Sequence, residues 1–311
     1  MSDDDWFESG GKESSDDDTS ETDDDTSKRP TDGPGMGDEP GIDDFEAAFG
    51  GETGGEPGID DFEAAFGGDD AGGFDQELDS DIPRLDLGIR GLDEMIHGGV
   101  PERSLMVVMG SAGTGKTTFG LQFLNHGITQ GEHAVYITLE ESEEAIRSAG
   151  VEKGWPFDEY IEENRLAIVD LDPVEMANSL TSIRSDLPRL IEEFDADRLV
   201  LDSVSLLEMM YNDQAKRRTE VFDFATSLKN AGVTTMVTSE TSDADPYTSK
   251  YGIIEYLTDG VFVLQYVRTE FQETRLAVEI QKIRNANHSR ETKPYEITGE
   301  GISVYRQADI F

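Results

Sequence analysis

The sequence predicts an α/β fold in which a mostly parallel β-sheet is flanked by helices and ends in an antiparallel edge. Apolar runs of strand length alternate with helical patterns from residue 105 to residue 239. This alternation is typical of parallel strands joined by right-handed crossovers. The apolar stretches that close the chain have connections too short for a crossover helix, so we expect antiparallel pairing there. These stretches are 261–266, 274–283, 294–297 and 302–305.

Each element has a local signal. Residues 85–101 read as a short strand, a turn, a brief helix and a Gly-Gly-x-Pro break. Apolar runs predict strands at 105–109, 134–139, 166–170, 198–203 and 233–239. Helices are predicted between them, from 119, at 143–149, at 174–194 and at 214–230. The longest of these carries apolar residues at helical spacing, among them Met176, Leu180, Ile183 and Leu187.

Composition divides the chain near residue 80. Residues 1–80 contain 28 acidic and 3 basic residues and few branched apolar ones, so we expect a disordered acidic tail. The other 231 residues contain 40 acidic and 22 basic side chains. Residues 82–311 are therefore predicted to form one globular domain.

A 17-residue repeat lies in the tail, at 38–51 and again at 55–68. In each copy three apolar residues fall at i, i+3 and i+7, on one face of a short helix. They are Ile42, Phe45 and Phe49, and then Ile59, Phe62 and Phe66. The two copies could dock in a groove of an unknown protein partner, with avidity raised by effective concentration. A duplicated linker that binds nothing is the alternative left open.

Charge and composition exclude several classes of function. Residues 81–311 carry a net charge of −18, which argues against general DNA binding, since that depends on neutralising phosphates. Strong acidity also suits a cytoplasm at high salt. The absence of Cys excludes disulfides and thiolate metal sites. No apolar run approaches membrane-spanning length, and the N-terminus is acidic. We therefore expect a cytoplasmic protein with no membrane segment.

A phosphate-binding loop is predicted directly after the strand at 105–109. The pattern G-x-x-x-x-G-K-T stands between that strand and a helix, which is the context in which it binds nucleotide phosphates. Lys116 can reach the β- and γ-phosphates of ATP, and the Thr117 hydroxyl can ligate Mg²⁺. The nucleotide-binding residues are Gly110, Ser111, Ala112, Gly113, Thr114, Gly115, Lys116, Thr117 and Thr118.

Three carboxylates lie at or just after the carboxyl ends of two apolar strands. Asp202 ends the strand at 198–203, where a second ligand of the metal shell is expected, although an N-cap aspartate is the alternative. Glu140 and Glu141 follow the strand at 134–139. One of them could accept a proton from the water that attacks the γ-phosphate, or the pair could simply open a helix in solvent.

Residues 82–311 resemble a single KaiC-type domain of the RecA-like P-loop ATPases, the group of the cyanobacterial clock protein and its archaeal relatives. The resemblance rests on the phosphate loop and on further stretches in the same order and spacing. These are Gly88–Asp93, Gly98–Pro101, Thr138–Glu141, Leu201–Ser203, Lys250–Gly252, Thr258–Asp259 and Lys282–His288.

The resemblance implies an ATPase that assembles with itself into a ring, for which we expect six subunits. Glu140 and Glu141 would be catalytic, with Glu140 the base. Lys282 and Arg284 would act in trans, on the ATP of the neighbouring subunit. Read from spacing alone, these two side chains share a strand face, and charges that guard an exposed edge strand are the alternative.

The sequence also departs from the family pattern. Where the phosphorylated domain of the clock protein carries a Ser-Thr pair, this chain has Glu255 and Tyr256, so Ser/Thr autokinase activity is not expected. We expect a signalling module that is read by protein partners. Two alternatives remain: a RecA/RadA-type DNA recombinase, for which 216–218 is the basic candidate segment, and a non-hydrolysing ATP sensor of the archaellum-motor type.

Overall fold

The computed structural model describes residues 82–268 and 273–305. The acidic tail and its repeat at 38–51 and 55–68 lie outside the described residues. The strands are β1 (Arg84–Leu85), β2 (Ile96–His97), β3 (Val100–Pro101), β4 (Leu105–Gly110), β5 (Ala134–Thr138), β6 (Leu166–Asp170), β7 (Arg198–Asp202), β8 (Thr234–Ser239), β9 (Gly260–Arg268), β10 (Thr274–Ile283), β11 (Asn287–His288), β12 (Lys293–Thr298) and β13 (Gly301–Val304).

Within the described part of the chain, one large sheet has the strand order β13-β12-β10-β9-β4-β8-β7-β5-β6. The strands from β9 to β6 in that order are parallel. At the other end, β10 pairs antiparallel with β9 and with β12, and β12 pairs antiparallel with β13. This arrangement confirms the predicted fold class, including the antiparallel C-terminal edge.

The helices are α1 (Leu92–Met95), α2 (Lys116–Thr129), α3 (Glu143–Glu152), α4 (Phe157–Glu162), α5 (Pro173–Phe194), α6 (Val204–Met209), α7 (Gln214–Asn230) and α8 (Ile254–Leu257). The predicted bounds of α5 and α7 agree with these to within one residue. The sequence did not predict α4, α6 and α8, because helices of four to six residues are too short to show helical periodicity.

Aspartates begin the two long helices. The Asp172 carboxylate accepts the backbone N–H groups of Val174 and Glu175, and Asp213 accepts that of Lys216. These bonds satisfy donors that the first turn of a helix would otherwise leave free. The predicted starts of both helices, at 174 and 214, lie within one residue of the capped starts.

Two apolar cores pack on the opposite faces of the sheet. Along β4, Met106 and Val108 face one core, while Leu105, Val107 and Met109 face the other. Both faces of this strand are buried, which is why it reads as a continuous apolar run and not as an alternating one. Within the described residues, no helix is long and apolar enough to cross a bilayer.

Candidate functional site

The phosphate loop connects the end of β4 to the start of α2, as the sequence predicts. Gly113 and Gly115 adopt φ angles of +79° and +89°, which L side chains rarely adopt. A Cβ added at Gly115 would lie 2.7 Å from Ile297 Cδ1. The loop therefore favours glycine at this position for its backbone conformation, and a Cβ here would also require the Ile297 side chain to shift.

Lys116 folds over the loop that precedes it. Its Nζ donates to the backbone carbonyls of Gly110 and Ser111, at 3.0 and 3.2 Å. The ammonium group thus lies at the concave side of the loop, where the N-terminus of α2 adds partial positive charge. A triphosphate that entered the loop would meet both.

Two tyrosines from the antiparallel edge hold the loop. The Tyr295 hydroxyl donates to the Thr114 carbonyl at 2.5 Å, and the Tyr266 hydroxyl donates to the Ala112 carbonyl at 3.5 Å. Burial raises the pKa of Tyr295 well above its ordinary value, so this hydroxyl stays a donor. Sequence reasoning missed both residues, since nothing in the local sequence signals contacts that span more than 150 positions.

Asp202 lies beside Thr117 at the carboxyl end of the sheet. The Thr117 hydroxyl donates to Asp202 Oδ2 at 2.7 Å, and the Tyr136 hydroxyl donates to the same oxygen at 2.7 Å. The Thr238 hydroxyl donates to Asp202 Oδ1. Burial, reinforced by the charge of Asp202, raises the pKa of Tyr136 well above its ordinary value. The N-cap alternative is not supported for Asp202, since Ser203 is the residue that precedes α6.

The Thr117 and Asp202 oxygens fit a magnesium ion. Mg²⁺ prefers oxygen ligands and is usually bound by one or two protein groups together with substrate phosphates and water. Among the described residues there is no group of three or more His, Cys, Asp or Glu side chains that could hold a metal. Two hydroxyl and carboxylate oxygens are a donor set that Mg²⁺ could share with substrate phosphates and water.

Glu140 and Glu141 follow β5, the strand next to β7. The Ser203 hydroxyl donates to Glu140 Oε1 at 2.5 Å, and Ser203 directly follows Asp202. The Thr138 hydroxyl accepts the backbone N–H groups of Glu140 and Glu141, at 3.2 and 3.0 Å. The structure thus brings Glu140 to the same edge of the sheet as Thr117 and Asp202, and both glutamates are exposed to solvent.

Lys282 and Arg284 lie at the other end of the strands, away from the carboxyl ends where the phosphate loop begins. Lys282 pairs with Val261, which is level with Val107, whereas the loop begins at Gly110, three residues further along β4. That offset is about 10 Å at the rise of a β-strand. Arg284 lies further still from the loop, because its N–H bonds to the carbonyl of Asp259 beyond the end of β10. The structure does not bring either cation to the phosphate loop of its own chain.

Both cations have acceptors at that end of the strands. Lys282 Nζ donates to the Glu255 carbonyl at 2.8 Å, and Arg284 Nη1 lies 3.2 Å from Asp259 Oδ1. Burial, followed by the charge of Arg284, lowers the pKa of Lys282. The Arg284 side chain is 51% exposed, so its guanidinium can contact a second molecule.

Comparisons with known proteins agree with this architecture. The family described as "ATPase: KaiC" matches residues 85–309. The circadian clock oscillator protein KaiC of Prochlorococcus marinus strain MIT 9313 is 33% identical over 72% of this chain and 46% of its own length. The KaiC of Acaryochloris marina is 33% identical over 70% of this chain and 43% of its own length. This chain thus spans less than half the length of these curated relatives.

A solved structure extends the comparison to the fold. The crystal structure of a KaiC-like protein from the hyperthermophilic archaeon Pyrococcus horikoshii OT3 matches with a TM-score of 0.64 and 35% identity. The match covers 72% of this chain and 99% of that one. Family, relatives and fold agree, and the family match at residues 85–309 includes the phosphate loop and the large sheet. The chain therefore belongs to the KaiC family of RecA-like P-loop ATPases and contains a KaiC-type ATP-binding module.

Proposed function

We propose that this protein binds ATP with Mg²⁺, hydrolyses it slowly to ADP and phosphate, and works as a self-assembled ring whose nucleotide state is read by protein partners. Residues 82–311 form the single ATPase domain of this proposal. The observation that carries it is the meeting of three groups at one edge of the sheet: the phosphate loop, the Thr117–Asp202 pair at 2.7 Å and Glu140.

The proposed chemistry divides among these groups. The loop N–H groups and Lys116 hold the phosphates and balance their charge. Thr117 and Asp202 hold the Mg²⁺, which when bound neutralises charge on the β- and γ-oxygens. Glu140 orients water and accepts its proton, with Glu141 beside it. The bond from Ser203 fixes one Glu140 oxygen and leaves the other for the water.

The ring is supported by the position of Lys282 and Arg284. Both cations lie at the end of the strands away from the phosphate loop of their own chain. In this proposal they therefore act on ATP that is bound in the phosphate loop of another subunit. A cation that completes the site from a neighbouring chain stabilises the charge of the transition state, as an arginine finger does. We propose a hexamer, in which each interface holds one nucleotide.

Other parts of the proposal rest on sequence. Glu255 and Tyr256 replace the Ser-Thr pair of the clock protein, so we propose no Ser/Thr autokinase activity. Residues 38–68 are the proposed docking segment for a protein partner. We place the protein in the cytoplasm, at a salt concentration that screens its carboxylates.

Recombinase activity is less well supported. Of the basic segment 216–218, Arg217 is turned inward: its guanidinium donates to the carbonyls of Glu208 and Tyr211 and lies 4.0 Å from the Tyr251 ring centroid. That leaves Lys216 and Arg218 to contact phosphates, in a chain whose net charge is −43. We therefore propose that DNA is not the partner.

The experiment is ATP binding and turnover measured on the full chain at high salt. We expect Lys116→Ala to lose ATP binding, and Glu140→Gln to bind ATP normally while turnover falls at least about 100-fold. Equal turnover in wild type and Glu140→Gln would remove Glu140 as the base. Normal binding with no turnover in wild type would favour the non-hydrolysing sensor, and salt-sensitive DNA binding would favour the recombinase.

A further inference from the structure

Tyr136 is buried in the middle of β5 and contacts the proposed metal site through its hydroxyl. The side chain is 0% exposed, and its hydroxyl donates to Asp202 Oδ2 at 2.7 Å. The same oxygen accepts the Thr117 hydroxyl, and the other accepts that of Thr238. Donors from β5, α2 and β8 thus converge on one carboxylate at the end of β7.

We propose that Tyr136 is a positioning residue for Mg²⁺, which holds the Asp202 carboxylate in the orientation that the ion requires. This inference rests on the proposed function, since it assigns Mg²⁺ to Thr117 and Asp202. The terminal torsion of an aspartate is broad, so an unrestrained carboxylate would sample many orientations. Hydrogen bonds to both of its oxygens restrict that rotation before any metal binds.

The ring of Tyr136 sets the direction of this bond. A Cβ added at Gly120 of α2 would lie 3.7 Å from Tyr136 Cε2, so the ring packs against the helix that carries Thr117. An apolar ring would fill this space equally well. The hydroxyl is therefore the part of Tyr136 that packing alone does not require, and its partner is the carboxylate.

The test is Tyr136→Phe in the full chain, which deletes the hydroxyl and keeps the ring. Binding of a fluorescent ATP analogue is titrated with Mg²⁺, and again in EDTA. We expect the Mg²⁺ concentration at half-saturation to rise about tenfold, the lower end of the range for partners of metal ligands, while binding in EDTA is unchanged. The matched control is Tyr211→Phe, which deletes a tyrosine hydroxyl that donates to the Ala177 carbonyl. Its Mg²⁺ curve should coincide with that of wild type.

A second variant and a stability measurement separate positioning from folding. Thr238→Val deletes the donor to the other carboxylate oxygen and should shift the Mg²⁺ curve in the same direction. Urea unfolding without nucleotide reports any loss of stability. A Tyr136→Phe variant with the wild-type Mg²⁺ curve would overturn the proposal, even if it were less stable, and so would an equal loss of binding with Mg²⁺ and in EDTA. If wild type itself bound the nucleotide without any Mg²⁺ dependence, the proposed magnesium site would fail, and this role with it.

Discussion

Replacing Glu208 with Gln should remove a large pH dependence from the stability of this domain. Glu208 lies on α6 with a 0% exposed side chain, and its two carboxyl oxygens have no hydrogen-bond partner in the described part of the protein. Burial, followed by the charge of Glu255 and opposed by that of Arg217, raises the pKa of Glu208 from 4.5 to about 8. The carboxyl group is therefore protonated in the folded protein at neutral pH and ionised in the unfolded chain.

The magnitude follows from proton linkage. Between pH 4.5 and about pH 8 the folded state holds one proton more than the unfolded state. The free energy of unfolding therefore falls as pH rises, by about 1.4 kcal/mol per pH unit. The contribution is fully present below the unfolded pKa and is lost as pH rises to the folded one. From about pH 5 to about pH 8 this single group should destabilise the wild type by about 3 kcal/mol.

Urea unfolding at constant salt across this pH range measures the effect. We expect Glu208→Gln to match wild type near the acid end and to exceed it by about 3 kcal/mol near pH 8, because Gln stays neutral. The matched control is Glu192→Gln on α5, where the side chain is exposed, and its stability should track that of wild type. Parallel pH profiles for wild type and Glu208→Gln would refute the reasoning.

Two further predictions concern the phosphate loop and its metal. Gly115→Ala should lower the free energy of unfolding by about 1–2 kcal/mol, which is the penalty for left-handed backbone, and should also weaken ATP binding. Gly131→Ala should lower the free energy of unfolding and leave ATP binding unchanged. Gly131 has a similar φ of +93° but open space around its Cβ, so urea unfolding and ATP titration of the pair separate strain from loop geometry. EDTA should stop turnover and weaken ATP binding in equilibrium dialysis. Thr117 and Asp202 provide only two of the oxygen ligands that Mg²⁺ needs, so the phosphates must provide others, and the ion then links ATP to the protein. Undiminished binding and turnover in EDTA would contradict the magnesium assignment.

The sequence predicted the sheet because its central strands are buried on both faces. β4 and β7 are buried along their whole length and contain the apolar runs 105–109 and 199–201, so both could be read locally as strands. The longest helix, α5, was predicted from apolar residues at helical spacing. The short helix α6, which carries Glu208, was missed because six residues show no periodicity.

The candidate site was likewise predicted from the sequence only in part. The phosphate loop is contiguous, and Asp202 was found because carboxyl ends of parallel strands meet at one edge of a sheet. Tyr136 and Thr238 were missed because their partner Asp202 lies 66 and 36 positions away, at a distance set by strand register. The end of the sheet at which Lys282 lies likewise depends on the antiparallel register of β10 against β9, which the spacing of residues in the sequence does not give.

The central claim is that each ATP is held by two chains, and mixing two inactive variants tests it most directly. Lys116→Ala should lose its own nucleotide but keep its Arg284, while Arg284→Ala should bind nucleotide but lack the cation in trans. Steady-state phosphate release is measured on each variant and on their mixture after co-assembly with Mg·ATP. The account predicts that the mixture recovers turnover that neither variant has alone. A mixture no more active than the sum of its parts, in rings shown by native mass spectrometry to contain both variants, would contradict it.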